Sequence, residues 1–388
     1  MKDICTTTYN NVRLWDGISD EYSEQSSITV CNETVRGLGK TDGVVKDMSG
    51  LTVIPGLIDS HIHISVDPDH TSIEEFLNES KEETIKKMNR RAKRMVDMGI
   101  TTARDLGGGK WLEIELRNRI LRGEIPGPRL LCAGQPLTTP DGHCYFWGGG
   151  VENTGDIQTV IDRQHRHDVD LIKVMATGGV YTPNTNPGQS QFSLNDLSFA
   201  VQYAKDLGYD VAAHCHGTEG IHRASLAGVK TIEHCSWFNQ EGERSHCDLH
   251  VIADIVSNNT WVSPTINSEW SKYIDKNNQE GQLIRESFRL MRKAGVKFIA
   301  STDSGIPNVF HHEFAKGLSL FADLANMTPL EVLKSSTGDA ALALGCADRF
   351  GSLQVGLSAD LLFVDGDPLR DLQVLQTPAL VVARGVEQ

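Results

Sequence analysis

Val53-Ile54-Pro55-Gly56-Leu57-Ile58-Asp59-Ser60-His61-Ile62-His63 decides how this chain is read. An apolar, β-branched run over 51–54 passes through Pro-Gly into Leu57-Ile58 and ends in His-Ile-His. Side chains alternate along a strand, so His61 and His63 share one face while Ile62 enters a packed layer on the other. Two imidazoles side by side suit a single metal ion. A bare His-x-His also recurs on strand ends that hold no metal, so the decision rests on what the rest of the chain places beside it.

After this stretch the chain alternates. Residues 71–98 read as a helix, with Thr71 and Glu74 as a capping box and Gly99 as the stop. A strand over 100–105 ends in Leu106-Gly107-Gly108-Gly109. A helix (111–122) and a strand (129–133) follow, then a loop over 134–153 rich in Pro and Gly. A loop of that length in a compact domain is functional or mobile. The alternation resumes with helix 157–167, strand 171–175, a Gly/Pro/Asn loop, and a helix from the Ser193 cap to 207. Strands at 211–214, 231–234, 261–263 and 297–303 are separated by helices at 219–227, 246–257 and 280–294. Thr328-Pro329-Leu330-Glu331 is another helix start, with cap, first-turn proline and capping-box Glu. Counting from Leu57 to Ala300 gives eight strands, each followed by a helix. The fold class is therefore α/β, a (β/α)8 TIM-like barrel over residues 55–349.

Both chain ends differ from this middle. Strands are expected at 9–15, 27–31 and 44–48, and again at 351–353, 360–364 and 379–383. One small β-sandwich domain built from residues 1–54 plus 350–388 accounts for both. A chain of 388 residues has room for such a unit beside a barrel of about 250.

Composition narrows the function. Apolar residues at 39% and charged residues at 23% are those of a soluble globular protein. A net charge of −14 argues against nucleic acid or an anionic membrane as the partner. No apolar stretch approaches the ~20 residues of a membrane span. The start, Met1-Lys2-Asp3-Ile4-Cys5, has no signal-peptide pattern, which points to the cytoplasm. The eight cysteines form no Cys-x-x-Cys pair, so neither a zinc ribbon nor a redox motif is indicated.

In such a barrel, working side chains sit at the C-terminal ends of strands. Those ends carry His61, His63, Lys173, His214, His234 and Asp303, with Arg104-Asp105 on the second. Core strand ends usually carry small turn formers instead. Here the chain resembles the amidohydrolase superfamily of metal-dependent hydrolases. The matching pieces are 55–63, Ile172-Lys173-Val174, Ala213-His214, Glu233-His234-Cys235 and Ser301-Thr302-Asp303-Ser304. Thr337-Gly338-Asp339-Ala340 and the 351–361 stretch also match.

The resemblance implies a dinuclear site holding two divalent ions, taken as Zn2+. His61, His63 and Asp303 would hold the first, and His214 and His234 the second. Lys173 would bridge them as a carbamate formed with CO2, because a free ammonium has no lone pair. The other reading is a Lys173–Asp303 salt bridge in a one-metal site. The resemblance further implies a hydroxide attacking the carbonyl, with Asp303 moving its proton to the leaving amine.

The pieces around 129–137, 172–179 and 213–221 look closest to Xaa-Pro dipeptidases and imidazolonepropionase-related proteins. True imidazolonepropionases lack the bridging lysine, so Lys173 argues against that activity. The expected substrate is a small-molecule amide, a dipeptide or N-acyl amino acid. Dipeptidase-like members carry a tyrosine just after the Pro-Thr at the seventh strand end. Here Pro264-Thr265 is followed by Ile266-Asn267-Ser268-Glu269-Trp270, with Tyr273 only later. A lactam, carbamate or ester substrate is the alternative, followed by a deaminase and a non-catalytic scaffold. Homo-oligomerisation is left open.

Several further residues compete for roles. His143 in the long third loop is expected to face substrate. His216 either orients a ligand or is a satisfied structural histidine. Tyr181, Trp147 and Phe146 are candidates for an apolar side-chain pocket. Cys215 and Cys235 are expected to point into the core, and His165 and His167 into solvent. His311-His312-Glu313 reads as polar residues at a helix start.

Overall fold

Leu57–Ile62 is a strand in which every residue is buried. It begins a series of eight parallel strands in the computed structural model, which describes residues 6–70, 72–275 and 277–388. Leu57–Ile62, Ile100–Asp105 and Arg129–Cys132 pair in that order. Ile172–Met175, Val211–Gly217, Thr231–Phe238, Trp261–Ser263 and Lys297–Phe298 form a second parallel sheet, also in chain order. Backbone bonds cross both gaps between the sheets. Leu137 N donates to Lys173 O at 2.8 Å, and His63 N donates to Ser304 O at 2.7 Å.

Each strand is followed by helix. The main ones are Lys81–Asp97, Leu112–Leu121, Thr154–Arg166, Leu194–Asp206, Thr218–Ala227, Leu249–Ser257, Gln279–Ala294 and Phe314–Ala325. These strands are covered on both faces, yet their buried residues mix apolar side chains with polar ones such as Asp59, Thr102 and Lys173. One large core joins strand residues such as Ile62, Val174 and Ile232 to helix residues such as Met95, Ile161 and Phe321. The Thr328–Glu331 capping box forms as expected.

Four local expectations are corrected, the first being that 351–353 forms no strand. The helix expected over 71–98 is two helices, Ile73–Asn78 and Lys81–Asp97. Thr71 lies outside the described residues, and Ser72 caps the first helix by accepting from Glu75 N. Ser80 starts the second by accepting from Glu83 N, a local bond that competes with continuing the helix. The expected strand 9–15 is two, Thr6–Asn10 and Arg13–Leu14, parted by Asn11 at φ 59°. They join different sheets. A strand at Thr34–Leu38 was not expected, because Val35 is its one buried residue and Gly37 interrupts the alternation.

The two chain ends share a sheet. Leu361–Asp365 runs antiparallel to Leu51–Pro55, with Leu361 opposite Pro55 and Asp365 opposite Leu51. Tyr9, Leu14, Ile28, Val53, Leu361 and Phe363 form a separate small core. The chain passes from this sheet to the first parallel strand at Gly56. A Cβ there would meet the Thr101 side chain within 2.2 Å, so the crossing needs glycine.

Candidate metal centre

His61 and His63 meet as the alternation requires. Their Nε2 atoms lie 3.3 Å apart, and both face Asp303 Oδ1, at 3.1 and 3.2 Å. Their far nitrogens are held by other groups. His61 Nδ1 donates to Glu233 Oε2 at 3.0 Å, and His63 Nδ1 donates to Gly107 O at 2.8 Å. A partner on one ring nitrogen leaves the lone pair on the other, here pointing at Asp303.

A second group faces the first. The His214 and His216 rings each lie 4.5 or 4.6 Å from a histidine neighbour, His234 or His214, and His234 is 5.2 Å from His61. Again each imidazole has an outer partner. His214 Nε2 donates to Gly178 O at 3.1 Å, His234 Nδ1 meets Thr265 Oγ1 at 3.0 Å, and His216 Nδ1 meets Ser236 Oγ at 2.8 Å. In each of the sets His61/His63/Asp303 and His214/His216/His234, one ligand atom per residue falls within 4.8 Å of the others.

Electrostatics keep these groups in ligand form. Burial pushes His214 and His234 well below the usual imidazole range, and His143 and His216 to about 3. All four are neutral at pH 7 with a lone pair to offer. Burial would raise Asp303, but the facing histidines, His61 first, hold it well below the usual carboxylate range. Lys173 is 1% exposed, and its amine makes no hydrogen bond or ion pair among the described residues. The Lys173–Asp303 salt bridge of a one-metal site is therefore not formed. Burial pushes Lys173 down to about 8 against the pull of Glu233 and Asp303.

The backbone is bent to serve this centre. His234 and Asp303 adopt φ of 67° and 64°. Non-glycine residues there cost about 1–3 kcal/mol each and persist only where the surroundings enforce them. On a regular strand Glu233 and His234 would point to opposite faces. The left-handed step at His234 lets Glu233 reach His61 while His234 also turns to the centre.

A cavity of about 650 Å3 opens over these residues. It is lined by His61, His63, Lys173, His214, His234 and Asp303 together. His143, Tyr181, His216 and Trp147 line it too, whereas Phe146 packs behind against Trp147. Cys215 and Cys235 are in the core. His165 and His167 are exposed as expected, His167 stacking on Trp111 at 3.8 Å. One expectation for a histidine changes: His311 is buried, with Nε2 donating to His63 O at 3.0 Å.

Glu233, Thr265 and Asn267 were not singled out from sequence. The first two hold His61 and His234, and Thr265 and Asn267 line the cavity. The available signal for Glu233 was an acid inside an apolar strand, which needs a buried partner. That partner is Arg104, whose Nη2 donates to Glu233 Oε1 at 2.8 Å. Burial alone would raise Glu233, but Arg104 and His61 hold it well below its usual range.

The comparisons with known proteins agree with this geometry. Residues 52–387 match the model of the amidohydrolase family. Over 362 residues the chain is 28% identical to ochratoxinase of Aspergillus niger, covering 85% of this chain and 73% of that one. It is 24% identical over 357 residues to imidazolonepropionase of Fusobacterium nucleatum subsp. nucleatum, covering 82% and 78%. The crystal structure of a Xaa-Pro dipeptidase with methionine bound in its active site superimposes with a TM-score of 0.86 at 27% identity, over 99% of each chain. The chain belongs to the amidohydrolase family and is a hydrolase of C–N bonds.

Proposed function

We propose that this hydrolase cleaves the amide bond of an N-acyl amino acid or dipeptide at a pair of divalent ions, assigned as zinc. The observation that carries this reading is the pair of donor groups facing one cavity, each imidazole oriented by an outer partner. The residues fit metal: neutral buried imidazoles with free lone pairs and an ionised carboxylate are wanted ligand chemistry. His61, His63 and Asp303 would hold one ion, and His214 and His234 the other. Lys173, as a CO2-derived carbamate, would offer an oxygen to each. Its unpartnered amine on the cavity wall supports that role.

Bound there, the ions supply Lewis acidity, which makes water a nucleophile near neutral pH and polarises the scissile carbonyl. Asp303 takes the proton of the attacking water and delivers it to the leaving nitrogen. Neutral His143, 4.4 Å from the His214 ring, orients the substrate carbonyl. Trp147 and Tyr181 wall the cavity and hold the apolar side chain.

The fold and setting are read to match. The two parallel sheets form one closed (β/α)8 barrel over 55–349, supported by the backbone bonds across both gaps. Residues 1–54 plus 350–388, of which 1–5 lie outside the described residues, are read as the composite β-sandwich. We place the chain in the cytoplasm, where its seven described cysteines, none in a disulfide, stay reduced. No helix among the described residues is long and apolar enough to cross a membrane.

The test is a screen of dipeptides, N-acyl amino acids and lactams with the zinc-loaded protein, together with metal analysis. About two ions per chain and turnover of the first two classes are expected. Lactams as the main substrates would move the reading to cyclic amides, one ion per chain to deamination, and none to a scaffold.

A further inference from the structure

Arg244 follows the strand Thr231–Phe238, and its Nε is enclosed with no hydrogen-bond partner. Its Nη1 donates to Ser236 O at 3.0 Å. The guanidinium carbon lies 5.1 Å from the Phe238 ring centre and 5.9 Å from that of Trp270. The Tyr273 hydroxyl, which shares a side-chain hydrogen bond with Arg244, and the Glu280 carboxylate are the polar groups that face it. No carboxylate forms an ion pair with Arg244 among the described residues.

Buried arginines normally have an acid. In this molecule Arg104 has Glu233, Arg117 has Asp170 and Arg129 has Asp360. Arg91, Arg163 and Arg384 also leave an enclosed N–H unpaired, but none of them lines the main cavity or the small one beside it. Arg244 lines that small side cavity, of about 20 Å3, whose wall shares His234 and Trp270 with the main cavity. That room suits about one water-sized group, such as a carboxylate oxygen. The rest of its wall is mainly apolar, with Val262, Ile284 and Phe288. The main cavity itself presents no cation besides Lys173 among the described residues.

We propose that Arg244 reads a carboxylate on the substrate. The α-carboxylate of the leaving amino acid reaches in beside Trp270 and places one oxygen on the unpartnered Nε, a charge-assisted hydrogen bond. Arg244 is then a specificity-determining residue in a chain that has no tyrosine just after Pro264-Thr265. This inference rests on the hydrolase reading above.

The test is the selectivity of the zinc-loaded full-length protein between N-acetylphenylalanine and its carboxamide. The ratio of kcat/KM is measured in wild type, Arg244→Met and Arg244→Lys. Wild type should favour the acid. Arg244→Met should lose about 100-fold on the acid, mainly through KM, and stay within about threefold on the carboxamide. Arg244→Lys should recover part of the loss.

Equal losses on both substrates with metal content and melting temperature kept, or no preference in wild type, would overturn the inference. Should the Met variant not fold, the ratio of the Lys variant decides. Calorimetric titration with hydrocinnamate separates the two readings because it needs no turnover. Binding that Arg244→Met weakens in a protein that hydrolyses nothing would keep the inference and remove the hydrolase reading. Unaltered binding in a protein that hydrolyses amides would do the reverse.

Discussion

The Oε2 of Glu233 lies 3.0 Å from Nδ1 of His61, while its other oxygen, Oε1, accepts from Arg104 at 2.8 Å. One carboxylate therefore orients the His61 imidazole, a proposed metal ligand, and neutralises a buried guanidinium. Arg104 is further fixed by donating to Ser60 O and Thr231 Oγ1. Removing the charge should damage both functions. Glu233→Gln is expected to lower metal affinity about 10- to 100-fold through the loosened His61. It should also cost about 3 kcal/mol of stability, because Arg104 stays buried without its acid. Metal titration and urea unfolding of the variant check the two effects separately. Unchanged metal affinity would mean that His61 is oriented by packing alone.

Asp303 is the carboxylate that both His61 and His63 face, and it stays ionised across the neutral range. Asp303→Asn keeps the size and removes the proton acceptor. Turnover should fall about a thousandfold. Steady-state kinetics with parallel metal analysis measure this. Activity within a fewfold of the parent would remove Asp303 from the proton transfer.

Lys173 offers a different kind of evidence, because its proposed carbamate is built from dissolved CO2. Protein equilibrated with 13C-bicarbonate and zinc should show a carbamate carbon resonance, and Lys173→Met should lose it. The same variant should retain fewer than the about two ions per chain expected of the parent. A parent spectrum without the resonance, at full metal content, would leave the bridge to some other group.

Much of this centre is readable because strand alternation is a local rule. The rule that pairs His61 with His63 also pairs His214 with His216, since the strand Val211–Gly217 runs through both. Reading that strand as ending at 214 hid the second pair. Glu233 was hidden for a different reason. Its direction depends on the left-handed backbone at His234, which no periodicity signals. Thr265 is likewise at φ 56°, and its contact with His234 joins two separate strand ends. The break at Ser80 shows the limit for helices. A Ser-x-x-Glu start inside an apolar pattern is a cap only when a turn precedes it, and the turn is set by where Glu79 finds Thr84 and Lys87. Arg244 had no sequence signal at all, because what marks it is a missing partner in three dimensions.

Behind the wall of the site, Glu113 is fully buried, and neither carboxyl oxygen has a hydrogen-bond partner among the described residues. Ser65 Oγ is also unpartnered, and a Cβ on Gly108 would meet it at 2.4 Å and Glu113 Oε2 at 2.9 Å. Burial first, then the Asp105 carboxylate, push Glu113 up to about 8 from its usual 4.5. Between those two values the folded chain holds a proton that the unfolded chain releases. Stability must then fall as pH rises through that window, by up to about 1.4 kcal/mol per pH unit from this group. Glu113→Gln keeps the shape and a donor but cannot ionise. Its melting temperature should fall less than that of wild type between about pH 5 and 8. Parallel curves for the two proteins across this range would show that Glu113 ionises at no cost to the fold, through a partner or a path to water that offsets its burial.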